Sequence, residues 1–592
     1  MKRLLSLGLV TALTIGTVIT SGCNMPVQPQ KGNPPVMQKE EGLCVHAVKE
    51  TDDTAAWHIW QSVHDINIQF ENTNEKYFFL PTSADENSVE IYNTYSDTVS
   101  VNGIAIQAGG IKEVPYELNK SYDVNAGGQA YTLTFMKSNA EAALFINNDD
   151  ADGSGTDLFA YLNDDKGNSD KSRTAPASSA LVDADGNIST TPIKKVKGRG
   201  NTSWWATKKS YNVTFEEPVS VAGMQEGKKY SLLANFQDDS LSRNRILYDL
   251  SDAVGIPYAS DSRYTDLYIN GFYCGSYQMC QKVSADKNSL VNDIKAENYL
   301  NDDGSVNGDF PFFVTVDPSV DKEKDFYVEA DNYMLSIEYP ELKKGDIGYE
   351  AVRSYVGEKY KAFYEAAKAN DGSLEEYADL DSMSKMFLIN ELGKNWDAGV
   401  SSVYFVYKPD ENGNYKFFAS PVWDYDNSLG NCAGVKGELK YYGMTDYEEY
   451  TGNWCEIKGG EDNIMNRLAN NEQVKTTAKK VWFDSFVPAI DYFTGKTAAA
   501  DAKITDELYT SEKYYSLIKD SAEMNYKSGW MLKPNDWIAD HDTLTKAHFD
   551  ESTKQMVTDE TKTYEQNFTD MYNYCCDWLA GREAWISQEY SK

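Results

Sequence analysis

Val196-Lys-Gly-Arg-Gly-Asn201, followed by Thr202-Ser-Trp204 and then by Lys208-Lys-Ser-Tyr-Asn-Val-Thr-Phe215, decides what kind of fold this chain adopts. The glycines make a turn, and the run after it alternates as a strand does. Alternation puts Lys209, Tyr211, Val213 and Phe215 on one face and Lys208, Ser210, Asn212 and Thr214 on the other. The apolar face is the one expected to be covered, so Lys209 is carried inward. A buried ammonium is costly without a partner. A phosphate would be one partner; snorkelling to the rim is the other way out.

Two later segments belong with it. In LLANFQDDSLSRNRILYDLSDAVGIPYA (residues 232–259) Asp239 or Ser240 is the expected N-cap of a helix. Leu247, Leu250 and Val254 form its stripe, and Gly255 and Pro257 end it. YTDLYINGFYCGSYQMCQKV (264–283) comes next, with Asn270-Gly271 as a strong hairpin turn between two strands. The third segment gathers acids. In KNWDAGVSSVYFVYK (394–408) Asp397 follows a helix that ends near Gly393. In SPVWDYDNSLGN (420–431) Asp424 and Asp426 lie two apart. In an extended chain both project to one side, a pairing that suits a hard cation such as Mg²⁺. A solvated acidic turn would look the same.

Together these segments resemble the CotH kinase family, the spore coat protein H-like kinases. The resemblance rests on Gly198-Arg-Gly-Asn201 with Lys208-Lys-Ser-Tyr211, Leu241-Ser-Arg-Asn244, Ile269-Asn-Gly271 with Tyr273-Cys-Gly-Ser-Tyr277, and Trp423-Asp-Tyr-Asp426 with Leu429-Gly430. It runs from about Ala142 into the C-terminal helices. It implies an α+β fold: an atypical protein-kinase-like, two-lobed domain, here preceded by a small β-sandwich. It also implies ATP, Mg²⁺ or Mn²⁺, and transfer of phosphate to Ser or Thr hydroxyls of a protein. Carried over, Lys209 would hold the α- and β-phosphates, with Lys208, Arg199, Asn201 and Arg243 as further nucleotide-binding residues. Asp397 would accept or orient the hydroxyl proton. Asp424 and Asp426 would hold the metal. Two positions depart from the kinase pattern. Ser402 stands five places after Asp397, where an Asn would bind a second metal. The helix after Ser240 carries Asp249 and Asp252 but no Glu to pair with the lysine.

The rest of the chain sets the context. Lys2 and Arg3, an apolar run from Leu4 to Ile19, and Thr20-Ser-Gly-Cys23 have the form of a secretory leader. They resemble a bacterial lipobox, which implies cleavage before Cys23 and lipidation of it. The run is short for a spanning helix, which needs about 20 apolar residues. Residues 1–22 are therefore expected to be a signal peptide and 23–60 a lipidated start and linker. Residues 61–147 are expected to form a β-sandwich-like domain, because short strand patterns alternate there with Asn-Gly and Gly-Gly breaks. Residues 148–592 are expected to form the kinase-like domain with a helical C-terminal part. Asn148, Asp150, Asp152 and Gly153 fit the front of an EF-hand loop. Phe159 at the twelfth place lacks the closing carboxylate, and a polar turn is the favoured reading.

Charge narrows the function classes. The chain of 592 residues has 56 Lys and Arg against 91 Asp and Glu, a net charge of −35. Its mean field repels nucleic acid, so that class of partner is disfavoured. A phosphorylated ligand needs local cations or metal. The five histidines form no HExxH, and no CxxC pair marks a zinc ribbon. The alternative to an enzyme is a non-catalytic surface adhesion or scaffold lipoprotein that binds a glycan or a protein. An exported position also sits awkwardly with ATP, which is scarce outside the cytoplasm. The leader itself is tested by Cys23→Ala, which is expected to block lipidation and cleavage by a lipoprotein peptidase, read as a retained precursor without incorporated acyl label.

Overall fold

The computed structural model describes residues 42–46, 65–70, 74–330, 333–431, 450–456, 462–504, 508–528, 547–550, 555–558 and 564–592. The leader, Cys23 and the expected spacer up to residue 41 lie outside these. Among the described residues no helix is long and apolar enough to cross a membrane.

Alternating strands in the centre of the chain close into a barrel. They are β1 (Ala142–Asn147), β2 (Thr174–Asp183), β3 (Ile193–Arg199), β4 (Ser210–Val219), β5 (Gly227–Leu233), β6 (Ser262–Ile269) and β7 (Phe272–Gln281). Their order is β1-β6-β7-β5-β4-β3-β2, and β2 returns to pair with β1. β1 and β6 run parallel; the other neighbours are antiparallel. The hairpin from β6 to β7 turns on Asn270 and Gly271, both with positive φ as a tight two-residue turn requires.

Register fixes what the barrel shows to each side. Gly198, Tyr211, Leu232 and Met279 lie side by side across four strands and face the apolar interior, as do Val196, Val213 and Tyr230. One step along, Lys197, Asn212, Ser231 and Cys280 form the adjacent row, which faces outward. One outward sector, with Phe145, Val182, Tyr268 and Tyr273, shares a core with two small sheets from the N-terminal part. Those sheets are built from Leu43–His46, Asp65–Asn67, Ser88–Asn93 and Ile111–Pro115, and from Gln69–Phe70, Glu75–Leu80, Ser121–Ala126 and Gln129–Lys137.

Two expected boundaries shift. Leu43–His46 is a strand paired with Ser88–Asn93, so sheet structure begins inside the stretch read as linker. Ala142–Asn147, placed in the sandwich, is instead the first barrel strand, because both its edges are taken by β2 and β6. The EF-hand-like loop is a polar turn. Asp150 accepts from the Gly155 amide at 2.6 Å, and Asp152 accepts from the Ser154 amide and hydroxyl at 2.9 and 2.7 Å.

A second sheet comes after the barrel, of β8 (Phe312–Val316), β9 (Tyr327–Glu329), β10 (Met334–Tyr339), β11 (Val403–Pro409) and β12 (Tyr415–Ala419), in the order β9-β10-β8-β11-β12. Helix α1 (Arg243–Ala253) lies between β5 and β6 in the chain. Helices α2 (Tyr349–Ala369) and α3 (Leu380–Gly393) precede β11; α4 (Ser511–Lys527) and α5 (Tyr564–Tyr590) come after β12. Aromatic rings bind α2 to the second sheet: Phe363 stacks on Phe417 at 4.9 Å and meets Phe405 edge-on at 5.4 Å.

Gly198 shows how tightly the barrel interior is filled. A Cβ there would lie 2.2 Å from the ring of Trp204, itself 2% exposed and tied by its indole N–H to the Asn168 carbonyl. Gly198→Ala is expected to destabilise the protein by about 1–3 kcal/mol, as overpacking does, seen as a lower denaturation midpoint with an unchanged slope.

Candidate active site

The turn after β5 builds the site from beneath. Asp238 is wholly buried, and its carboxylate accepts from the amides of Ser242 and Arg243 at 3.0 and 2.9 Å. The N-cap position of α1 is Ser242, later than the expected Asp239 or Ser240, and the Asp238 carboxylate reaches forward to satisfy its open amides. The same carboxylate also forms an ion pair with the Arg243 guanidinium, likewise wholly buried. Arg243 reaches on to the Leu429 carbonyl at 3.4 Å. The next residue, Asn244, accepts the Tyr425 amide at 2.7 Å. One turn later Tyr248 stacks on Trp423 at 5.7 Å, and its hydroxyl accepts the Asp424 amide at 3.4 Å. The first turns of α1 thus hold residues 423–429 in place.

That segment is not extended. Asp424 has φ of +61° and Leu429 of +47°, so the acids sit on a turn and not on a strand. The expected geometry is wrong in detail, but proximity survives. Asp426 is half-buried, and its carboxyl is pushed up to about 8, first by desolvation and then by the charges of Asp424, Asp397 and Asp238. Asp397 opens a turn at the end of α3, where its carbonyl accepts from Val400 and Ser401 at 3.0 and 3.1 Å. The structure therefore brings Asp397, Asp424 and Asp426 together. Ser402, where a kinase would carry Asn, donates its hydroxyl to Asp424 at 3.1 Å.

Next to this acidic turn, and lined by Trp423 from it, is a cleft of about 270 Å³ between the barrel and the second sheet. Its barrel side carries Lys197, Arg199, Asn212 and Ser231 from the outward row, with Lys171 and Lys282 beside them. Tyr404 and Trp423 close the other side. The Arg199 guanidinium lies 5.5 Å from the centre of the Trp423 ring. The crowding shows in the ammonium groups. Lys171 is lowered by burial and then by Lys197 and Arg199; Lys282 is lowered by burial and by Lys229 and Arg199, with Glu338 opposing. Asp317 and Glu338 border the acidic side and are raised chiefly by burial.

Four expected nucleotide-binding residues are elsewhere. Lys209 does point inward, but its ammonium donates to the Trp204 carbonyl at 2.7 Å and pairs with Asp165 at 3.0 Å. Protein groups supply the partner that a phosphate was expected to be. Lys208 is 1% exposed and donates to the carbonyls of Ala234 and Ser276, with burial pushing it down to about 7. Arg243 is consumed by Asp238 and Leu429. Asn201 accepts from Lys171 at 3.1 Å and does not line the cleft. Arg199 alone of the expected phosphate binders does. Lys197 and Lys282 were missed. Lys197 shares the parity of Arg199 on β3, and that was the signal available. Lys282 and Lys171 reach the cleft through barrel closure, which no local pattern reveals.

The last helix fastens the acidic side. Arg582 on α5 is wholly buried and donates to the Glu391 carboxylate at 2.6 Å and to the carbonyls of Tyr450 and Gly452 at 2.9 and 2.7 Å. Glu391 lies on α3, six residues before Asp397, and also accepts the amides of Trp454 and Cys455 at 2.8 and 2.7 Å. The Trp454 indole donates to Asn395 at 2.7 Å.

Among the described residues no three His, Cys, Asp or Glu side chains converge as a ready-made metal site. Mg²⁺ does not need three, since it keeps several waters and takes one or two carboxylates plus phosphate oxygens. The residues fit it: a divalent cation between Asp424 and Asp426 would offset the burial, and then the repulsion, that hold a proton on Asp426. The sign is testable. The folded chain binds that proton more tightly than the unfolded one, whose Asp has the ordinary value of 3.8. Asp426 therefore subtracts stability as pH rises from about 4 to about 8. Asp426→Asn is expected to gain melting temperature on the wild type progressively across that window in metal-free buffer, and added Mg²⁺ to raise the wild type more than the variant.

No curated protein matches the chain. The model of the CotH kinase protein family matches residues 196–586, well over half of it, from the strand of Arg199 to the helix of Arg582. The match spans both sides of the cleft, and the chain belongs to the CotH kinase protein family.

Proposed function

We propose that the cleft transfers the terminal phosphoryl group of ATP to a Ser or Thr hydroxyl of a protein, as family membership favours. One observation carries this reading: four cations line a single cavity in a chain whose net charge is −35, and Trp423, which also lines it, directly precedes Asp424 of the acidic cluster. Phosphoryl transfer asks for positioning and charge neutralisation more than for covalent help. Lys197, Arg199 and Lys282 hold the phosphate chain and neutralise charge on its oxygens. Asp424 and Asp426 would hold Mg²⁺ or Mn²⁺, which when bound would supply positive charge against that developing on the phosphates. Asp397 orients the acceptor hydroxyl and takes its proton. Ser402 fixes the rotamer of Asp424. The two sides of the cleft stand for the two lobes of a kinase. A lipid on Cys23 would place the enzyme outside the cytoplasm on a membrane, with acceptors at the cell surface.

The expected results separate the residues. Asp424→Ala lowers phosphate transfer from labelled ATP by about 10²–10³, the usual size of losing one group that stabilises developing charge. Arg199→Gln raises the KM for ATP about tenfold, the size of roughly 1.4 kcal/mol, whereas Lys209→Gln leaves it nearly unchanged. Wild type and Asp424→Ala equally inactive toward every acceptor, with neither binding ATP, would sink the enzyme reading.

A further inference from the structure

The same cleft decides how its phosphoryl donor is recognised, given the phosphoryl-transfer reading of its chemistry on which this inference rests. We infer that the site reads the phosphate chain alone and not the base, so that inorganic tripolyphosphate is a phosphoryl donor alongside ATP. The cavity of about 270 Å³ is small beside ordinary small-molecule sites of roughly 300–1,000 Å³. Such sites are mostly apolar with a few polar groups. Here the proportion is reversed. Lys171, Lys197, Arg199 and Lys282 line it, and Val283 is its one aliphatic side chain among the described residues.

The two rings that reach it are already engaged. Trp423 is stacked by Tyr248 at 5.7 Å and covered by Arg199, and Tyr404 is stacked on Phe313 at 5.5 Å. Neither offers a slot like the greasy one in which a purine is usually held. Four cations lining the cavity, with Asp424 and Asp426 just beyond Trp423 to hold a divalent ion, match a linear triphosphate, a polyanion throughout its length. Recognition of that kind is indifferent to what hangs from the far end.

The step balances without a nucleoside. The acceptor oxygen forms a bond to the terminal phosphorus, and the bond from that phosphorus to its bridging oxygen breaks. Pyrophosphate leaves from tripolyphosphate, as ADP does from ATP. The hydroxyl proton passes to Asp397 and then to water. No oxidant or reductant takes part.

The test compares donors on the full-length chain with Mg²⁺. Terminally labelled ATP, GTP and tripolyphosphate are supplied with dephosphorylated casein, and label in casein and in the protein itself is counted. The expected kcat/KM values fall within about tenfold of one another, and Arg199→Gln and Lys282→Gln lower all three in parallel. A pocket that hydrogen-bonds a base discriminates by about 10⁴–10⁵ against a compound lacking it, and an apolar slot by about 10–200. ATP preferred by more than about a hundredfold over GTP and tripolyphosphate would therefore overturn the inference and leave the kinase reading standing. Melting temperatures with each compound decide the remaining case. If nothing is labelled but tripolyphosphate and ATP raise the melting temperature alike, and Arg199→Gln abolishes both shifts, the kinase reading falls and phosphate-only recognition stands. If ATP alone raises it, the inference falls.

Discussion

The site depends on a pair of charges taken wholly out of water, Asp238 and Arg243. Burying such a pair is expensive, and it holds only when every remaining donor and acceptor is satisfied. Here they are put to structural use. The Asp238 carboxylate ends the open amides of α1, and Arg243 carries the same contact across to Leu429. Asn431 adds a second crossing, donating to the carbonyls of Gln237 and Asp426 at 2.7 Å each. The turn after β5 and the segment that bears the acids are therefore one polar unit. Asp424 can keep a left-handed backbone conformation, unfavourable for a residue with a Cβ, because its neighbours on both sides are pinned.

This arrangement resolves an apparent conflict between an acidic protein and the anionic substrate proposed for it. Distant surface charges are screened within about 8–10 Å at ordinary ionic strength, so the mean field matters less than the four cations lining the cavity. Burial, and then the neighbouring cations, lower Lys171 and Lys282. In the neighbouring turn, burial and then the adjacent acids raise Asp426. The ligand proposed here, phosphates with a divalent ion, would relieve the like-charge part of both shifts at once.

Much of the fold was legible. The alternation after Gly200, the Asn270-Gly271 hairpin, the apolar stripe of α1 and the end of α3 at Gly393 were all readable, because each is set by residues a few places apart. Barrel closure was not, since β1 meets β2 and β6 through pairings that no local pattern encodes. The candidate site divided in the same way. Asp397, Asp424 and Asp426, singled out by spacing and family pattern, do lie close together. Lys209 was misplaced for a physical reason: alternation told correctly that it turns inward, but inward from β4 is the barrel interior, where Trp204 and Asp165 await it. The cleft lies on the opposite face, whose parity belongs to Lys197, Arg199 and Asn212.

Arg582 comes far later in the chain than the acids, yet it ties down Glu391 and the carbonyls of Tyr450 and Gly452 beside the turn of Asp397. Among the described residues no earlier side chain makes these bonds. A nascent polypeptide emerging from a ribosome, or threaded through a translocation pore, carries all its acids and cations long before it carries this clasp. Completion of the candidate site therefore waits for α5 to emerge, and a product that stops short of that helix is left with an unfastened floor.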